Sequence, residues 1–243
     1  GVSIVAVGFG GANEQTMRAI ASAPSSDFAF FGASMDEVRQ HFASDRLCEL
    51  AASPKAPPPP PSTPAPPGLP PSPPSPSPAP PSPPACVVKL ELVLVLDKSG
   101  SVRAEQSSLL AFAREMVSQF RLDATEGARV GVVEFSSDAA TLTPLTGSLS
   151  DVLTAIDGAS AAGGGTSVSD GLELGRAEVN RGARADVPRT ILLLTDGVQT
   201  VDGNDDTAIA KAAAVKQDGV SIVAVGFGGA NEQTMRAIAS APS

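Results

Sequence analysis

The sequence is poor in the groups that most enzymes depend on. Its 243 residues include one histidine, His41, and two cysteines, Cys48 and Cys86. His41 lies far in sequence from the aspartates that end the strands, so no Ser-His-Asp set and no Cys-His pair is assembled around it. His41 stands beside Phe42 in a helical stretch and reads as a surface residue. The glycine run Gly163-Gly164-Gly165-Thr166 lacks the lysine that a phosphate-binding loop requires. There is no N-x-Ser/Thr sequon, so any glycan would be O-linked. No run of 18 apolar residues occurs, so nothing here is expected to span a membrane. Basic residues are outnumbered, 17 against 26 acids, for a net charge of −9. With no basic cluster either, a nucleic-acid partner is excluded. The negative balance suits a soluble particle and cation binding.

What is present begins with a repetition. GVSIVAVGFGGANEQTMRAIASAPS at residues 1 to 25 returns unchanged at residues 219 to 243. Long self-similarity at a fixed offset is the signature of repeated units. The sequence therefore reads as a little more than one period of a tandem array; a signal peptide would not be visible in such a window. Between the copies, residues 54 to 84 hold 19 of the 23 prolines, with one leucine and no aromatic. Such a stretch cannot form a core, because proline supplies no backbone donor. It is expected to be an extended polyproline II linker, 54–85. At ~3.1 Å per residue its contour is about 95 Å. A possible soft point lies at Gly68-Leu69.

Outside the linker, strands and helices alternate. CVVKLELVLVLD is near-continuously apolar from Leu92 to Leu96, as a strand buried on both faces should be. Residues 103 to 120 place Leu109, Leu110, Ala113, Val117 and Phe120 on one helical face. ARVGVVEFS is a second strand, and AATLTPL a short edge strand ending near Pro144. A short helix follows, capped by Ser148 or Ser150, then a helix over roughly 167 to 180. PRTILLLTDG is another buried strand, DDTAIAKAAAVKQDG a helix, GVSIVAVGF a strand and NEQTMRAIAS a helix. Gly226-Phe227-Gly228-Gly229-Ala230-Asn231 reads as the turn into that helix, since Asn231 replaces the third glycine of a dinucleotide loop. In the first copy, DFAFFGAS supplies one more strand and MDEVRQHFASDRLCELAA one more helix. The pattern specifies an α/β fold with a doubly wound, mostly parallel sheet. Residues 1–53 then form the C-terminal part of one unit, and 86–243 most of the next. The leading part is not expected to complete the trailing one, because both carry the GVSIVAVGF strand and the linker resists return.

Ligands of such sheets sit at the carboxyl ends of the strands. Asp97-Lys98-Ser99-Gly100-Ser101 follows the first strand, Thr166 closes the glycine loop, and Asp196-Gly197 follows ILLLT. Two carboxylates and three hydroxyls suit a hard divalent cation: Mg²⁺, or Ca²⁺ or Mn²⁺. This constellation resembles the von Willebrand factor type A domain, whose metal-ion-dependent adhesion site reads D-x-S-x-S, a distant Thr and a distant Asp. Asp97, Ser99, Ser101, Thr166 and Asp196 match all five positions in order. The resemblance implies direct metal bonds from Ser99, Ser101 and one aspartate, with the other groups acting through water. It also implies an open position for a carboxylate from an acidic protein partner. An intact but unused site in a spacer domain is the alternative. In that family the termini emerge opposite the metal site and are joined by a disulfide in some members. This implies that Cys86 pairs with the counterpart of Cys48 in a neighbouring repeat.

The linker resembles the hydroxyproline-rich glycoproteins of plant and green-algal cell walls, and its SPPSPSPAPPSPP run looks most like a volvocine-algal extracellular protein. That resemblance implies hydroxylated, glycosylated prolines and glycosylated serines. The runs are Pro57, Pro58, Pro59, Pro60 and Pro61; Pro66 and Pro67; and Pro70, Pro71, Ser72, Pro73, Pro74, Ser75 and Pro76. Pro78, Pro80, Pro81, Pro83 and Pro84 complete them. The sequence thus points to an extracellular structural protein rather than an enzyme: beads on glycosylated rods, secreted into a wall layer, fibre or surface hair. Its partners would be neighbouring copies of the same repeat. A metal-dependent adhesion module recognising an acidic partner is the alternative.

Overall fold

The structure, a computed structural model, describes residues 6–9, 29–32, 86–160, 162–227 and 230–240. The Pro/Ser-rich linker with its expected glycosylation positions, Cys48 and His41 lie outside the described residues. Two short strands come first, β1 (Ala6–Phe9) and β2 (Ala29–Gly32). They pair in parallel, with Ala6 opposite Ala29.

From residue 86 the chain builds one five-stranded sheet. Its elements are β3 (Leu90–Asp97), a 3-10 turn (Ser101–Ala104), α1 (Gln106–Ser118), β4 (Ala128–Phe135), β5 (Ala139–Thr146) and α2 (Leu149–Asp157). Then come α3 (Val168–Asn180), β6 (Arg189–Thr195), α4 (Asp205–Gln217), β7 (Ser221–Gly226) and α5 (Glu232–Ile238). The strand order is β5-β4-β3-β6-β7. All pairings are parallel except that of β4 with β5. The sheet is therefore doubly wound and mostly parallel, as the alternation predicts.

Side-chain alternation along β3 splits the core into two layers. Leu92, Leu94 and Leu96 pack with Leu109, Phe112 and Met116 of α1 and with Val152 and Ile156 of α2. Val93 and Val95 face the other way, onto Leu172 of α3, Ala212 of α4 and Ile238 of α5. Every residue of β3 is buried, the state that its uninterrupted apolar run demands. Gly171 and Gly175 let α3 lie close to the sheet. A Cβ on Gly171 would fall 2.8 Å from Cδ1 of Phe135, and one on Gly175 2.8 Å from Cγ2 of Val95.

Two local expectations shift. The helix expected from residue 103 begins at Gln106, because Ser101–Ala104 forms a 3-10 turn first. β5 does not stop at Pro144 but runs to Thr146. Register shifts around Val132 accommodate it, which is how a sheet edge tolerates a residue with no N–H. Of the two candidate caps for α2, Ser148 is the one used: its hydroxyl accepts from the Asp151 N–H at 3.3 Å.

β1 lies beside β7, although the two sheets are hydrogen-bonded separately. Cys86 is buried and disulfide-bonded.

At the pole opposite the carboxyl strand ends, buried Glu91 is held by two arginines. Arg129 donates from Nε at 2.9 Å and Nη2 at 2.7 Å, and Arg184 from Nε at 2.8 Å. Arg184 also bonds the carbonyls of Thr125 and Gly127, tying the loops at that end to β3.

Candidate metal centre

The chain runs outward from β3 to β5, then returns to β6 on the other side of β3. The loops leaving β3 and β6 therefore diverge, and a cleft opens between them. Asp97, the last residue of β3, and Asp196, the first after β6, flank that cleft.

The expected residues come together. Ser99 N–H donates to Oδ1 of Asp97 at 2.7 Å, folding the loop back on its own carboxylate. The hydroxyls of Ser99 and Ser101 lie 3.0 Å apart. Ser101 Oγ donates to Oδ1 of Asp196 at 2.8 Å, across 95 residues of sequence. Thr166 joins from the glycine loop: a Cβ built on Gly197 would lie 3.5 Å from Thr166 Oγ1 and 3.7 Å from Ser101 Oγ. Asp97, Ser99, Thr166 and Asp196 are buried, while Ser101 is exposed at the mouth.

Backbone bonds hold the loops in register. Gly100 N–H donates to Gly164 O at 3.0 Å, and Gly163 N–H to Lys98 O at 2.7 Å. Thr166 is gripped on both sides by Thr200, whose Oγ1 accepts its N–H and whose own N–H donates to its carbonyl, each at 2.8 Å.

Several supporting residues are not apparent in the sequence. Thr195 donates to Oδ2 of Asp97 at 2.5 Å. Gln199 Oε1 accepts from Ser169 N–H in the first turn of α3, and the Gln199 N–H donates to Oδ1 of Asp205 at 2.9 Å. Thr195 had one available signal: it immediately precedes Asp196, and so ends β6 beside the end of β3.

The electrostatics favour a cation. Burial pushes the Asp97 carboxyl above its ordinary range, opposed by the bonds from Thr195 and Ser99 and reinforced by the charge of Asp196. Asp196 is pushed up by burial and by Glu105, against the bond from Ser101. Among the described residues, no lysine or arginine pairs with either aspartate. Nor do they contain a cluster of three or more His, Cys, Asp or Glu residues able to hold a metal. Two carboxylates and three hydroxyls without a counter-charge fit a hard divalent ion that keeps part of its water.

Comparison with known proteins agrees with this geometry. The family model of the von Willebrand factor type A domain matches residues 91–243. Mouse matrilin-4 is 34% identical over 162 residues, covering 63% of this chain. The chain spans 25% of that protein's length. Zebrafish von Willebrand factor A domain-containing protein 1 is 30% identical over 167 residues, 63% of this chain and 31% of its own length. Among solved structures, proximal thread matrix protein 1 from the mussel byssus, described with a zinc-occupied metal-ion-dependent adhesion site, shares the fold. Its TM-score is 0.57 at 21% identity, over 98% of this chain and 54% of its own. Manganese-loaded TRAP protein of Plasmodium vivax superposes with a TM-score of 0.53 at 22% identity, over 62% of each chain.

Proposed function

This chain belongs to the von Willebrand factor type A domain family, and on that premise we propose that it is a divalent-cation-dependent adhesion module of an extracellular structural protein. One observation carries the reading: Asp97, Ser99, Ser101, Thr166 and Asp196 meet at the carboxyl ends of β3 and β6, and among the described residues no basic residue pairs with either carboxylate. Ser99, Ser101 and one aspartate would hold the ion, with Thr166 and the other aspartate supporting it through water. Mg²⁺ is the first choice, with Ca²⁺ or Mn²⁺ as substitutes. The ion supplies a Lewis-acidic position that a carboxylate of a partner can fill. The protein's own part is to hold the hydroxyls and the two carboxylates in place around the ion. On this reading the site captures a partner's carboxylate rather than transforming a substrate.

The array reading belongs to the same proposal. Residues 1–53 are the end of one bead, 54–85 a glycosylated polyproline rod and 86–243 most of the next bead. Supporting it are the two identical 25-residue segments and the concentration of proline between them. The disulfide at Cys86 supports an oxidising, extracellular setting. Neighbouring copies are then the principal partners. Isothermal titration with Mg²⁺ tests the site: Asp97→Ala should abolish binding, and undiminished binding in that variant overturns the assignment. Electron microscopy tests the assembly: regular filaments support the structural reading. Isolated particles that bind an acidic protein only with divalent ions support the plain adhesion module.

A further inference from the structure

Lys98 lies inside the metal-binding loop, between Asp97 and Ser99. An ammonium there opposes a dication and also competes for the carboxylates. The structure gives it another partner. Lys98 Nζ pairs with Oε1 of Glu134 at 3.0 Å, and Glu134 is only 4% exposed in its side chain. Glu134 is the penultimate residue of β4, beside Leu96 in the ladder. It therefore sits on the α1 side of the sheet with Leu96, while Asp97 alternates to the other side. Its carboxylate is fixed by two more donors, Ser160 N–H and Ser160 Oγ, each at 2.8 Å. Burial disfavours the charge, yet the bonds from Ser160 and Lys98 outweigh it and hold this carboxyl below its ordinary range.

We propose that Glu134 is a positioning and charge-balancing residue for the cation site, which neutralises Lys98 and draws its ammonium away from Asp97. The inference rests on the reading of that site as a cation site. It also assigns a role to a carboxylate buried in a strand where an apolar side chain would otherwise complete the layer of Val130 and Val132. With Glu134 in place, the loop ends of β3 and β6 present the two charges of Asp97 and Asp196. Without it, one of these is offset by Lys98. Glu134 also fixes Ser160 in the 158–165 loop that leads to Thr166, so a charge role and a clamp role must be separated.

A double-variant cycle in the full chain separates them, with Mg²⁺ affinity read by calorimetry and folding by thermal melting. Glu134→Gln should weaken Mg²⁺ binding about tenfold, as one uncompensated charge near a dication does in a partly exposed site. The defect should shrink as ionic strength rises. Adding Lys98→Met to Glu134→Gln should return the affinity to within about threefold of the starting protein, because the contacts of residue 134 are then the same and only the charge has gone. A double variant as weak as Glu134→Gln overturns the charge role, as does an unchanged affinity in Glu134→Gln. Should Glu134→Gln fail to fold, Lys98→Met alone decides: equal or tighter Mg²⁺ binding supports the proposal, and weaker binding overturns it. The starting protein and Asp97→Ala, titrated alongside, report on the site itself. Binding by the first and none by the second leave the site reading standing whatever the pair does.

Discussion

Asp97 is under opposed demands. It must stay charged to hold a cation, and its burial works against charge. Asp97 and Asp196 both have folded-state pKa values above the ordinary 3.8. For an acid this means that the folded protein takes up protons first as the pH falls. In metal-free protein these two groups therefore subtract stability at neutral pH and restore it as the pH drops towards the ordinary carboxylate range. Glu91 and Glu134 act oppositely: their depressed values give stability at neutral pH that is lost in acid. Protons and Mg²⁺ compete for the raised pair. The rise in melting temperature on adding Mg²⁺ should accordingly be full at pH 7 and shrink in mildly acidic buffer, beginning above pH 4. A constant increment down to pH 4 would contradict this. Asp97→Asn should remove the Mg²⁺ response yet change metal-free stability by no more than about 1 kcal/mol, since it keeps an acceptor and removes an unpaired buried charge. Denaturant melts with and without Mg²⁺ measure both. The five proposed ligands were legible because their chemistry is carried by residue type at fixed spacing. Thr195, Thr200 and Glu134 were not: each acts on a group 34 to 98 residues away or across a ladder, and no local pattern encodes a register.

At the scale of elements, α3 depends on having no side chain at two successive turns. A methyl at Gly171 would meet Cδ1 and Cγ of Phe135 at 2.8 and 2.9 Å and Cγ1 of Val95 at 3.0 Å. Gly171→Ala should therefore destabilise by about 1–3 kcal/mol, despite the better helix propensity of alanine. A gain in stability by chemical denaturation would show that α3 can retreat at no cost. Glu91→Ala would leave the guanidiniums of Arg129 and Arg184 without their shared carboxylate in a buried setting, at a cost of about 3–5 kcal/mol. The same melts measure that loss. Strand positions were the most legible elements, because a run buried on both faces has no polar interruption, as in Leu92 to Leu96. Helix ends were less so. The hydrophobic stripe of α1 marks its face but carries no information on whether Ser101–Ala104 winds as 3-10 or α. Pro144 was a sound sign of an edge strand and a poor sign of where that strand ends.

For the whole molecule, alternation of strand and helix was enough to specify a doubly wound sheet, and the order β5-β4-β3-β6-β7 puts both aspartates where it turns back on itself. Long-range placement was not legible in this way. The approach of β1 to β7 joins segments far apart in sequence, and no local pattern encodes it. Cys86→Ser, or reduction of the intact chain, should lower stability by about 2–4 kcal/mol; identical melts with and without reductant would mean that the bond constrains nothing in the unfolded chain. The position of β3 has a mechanical consequence. It is the first strand after the linker, and it is paired in parallel on both sides, with β4 along all eight residues and with β6 along six. Tension applied along its axis from residue 90 meets both ladders in shear, so their bonds must fail together rather than one after another. β7 is paired on one side only among the described residues, with β6. A thread assembled from such units would be gripped at its most strongly held strand. It would lengthen first in the segments between beads, with the beads staying folded until the load reached a sharp rupture threshold.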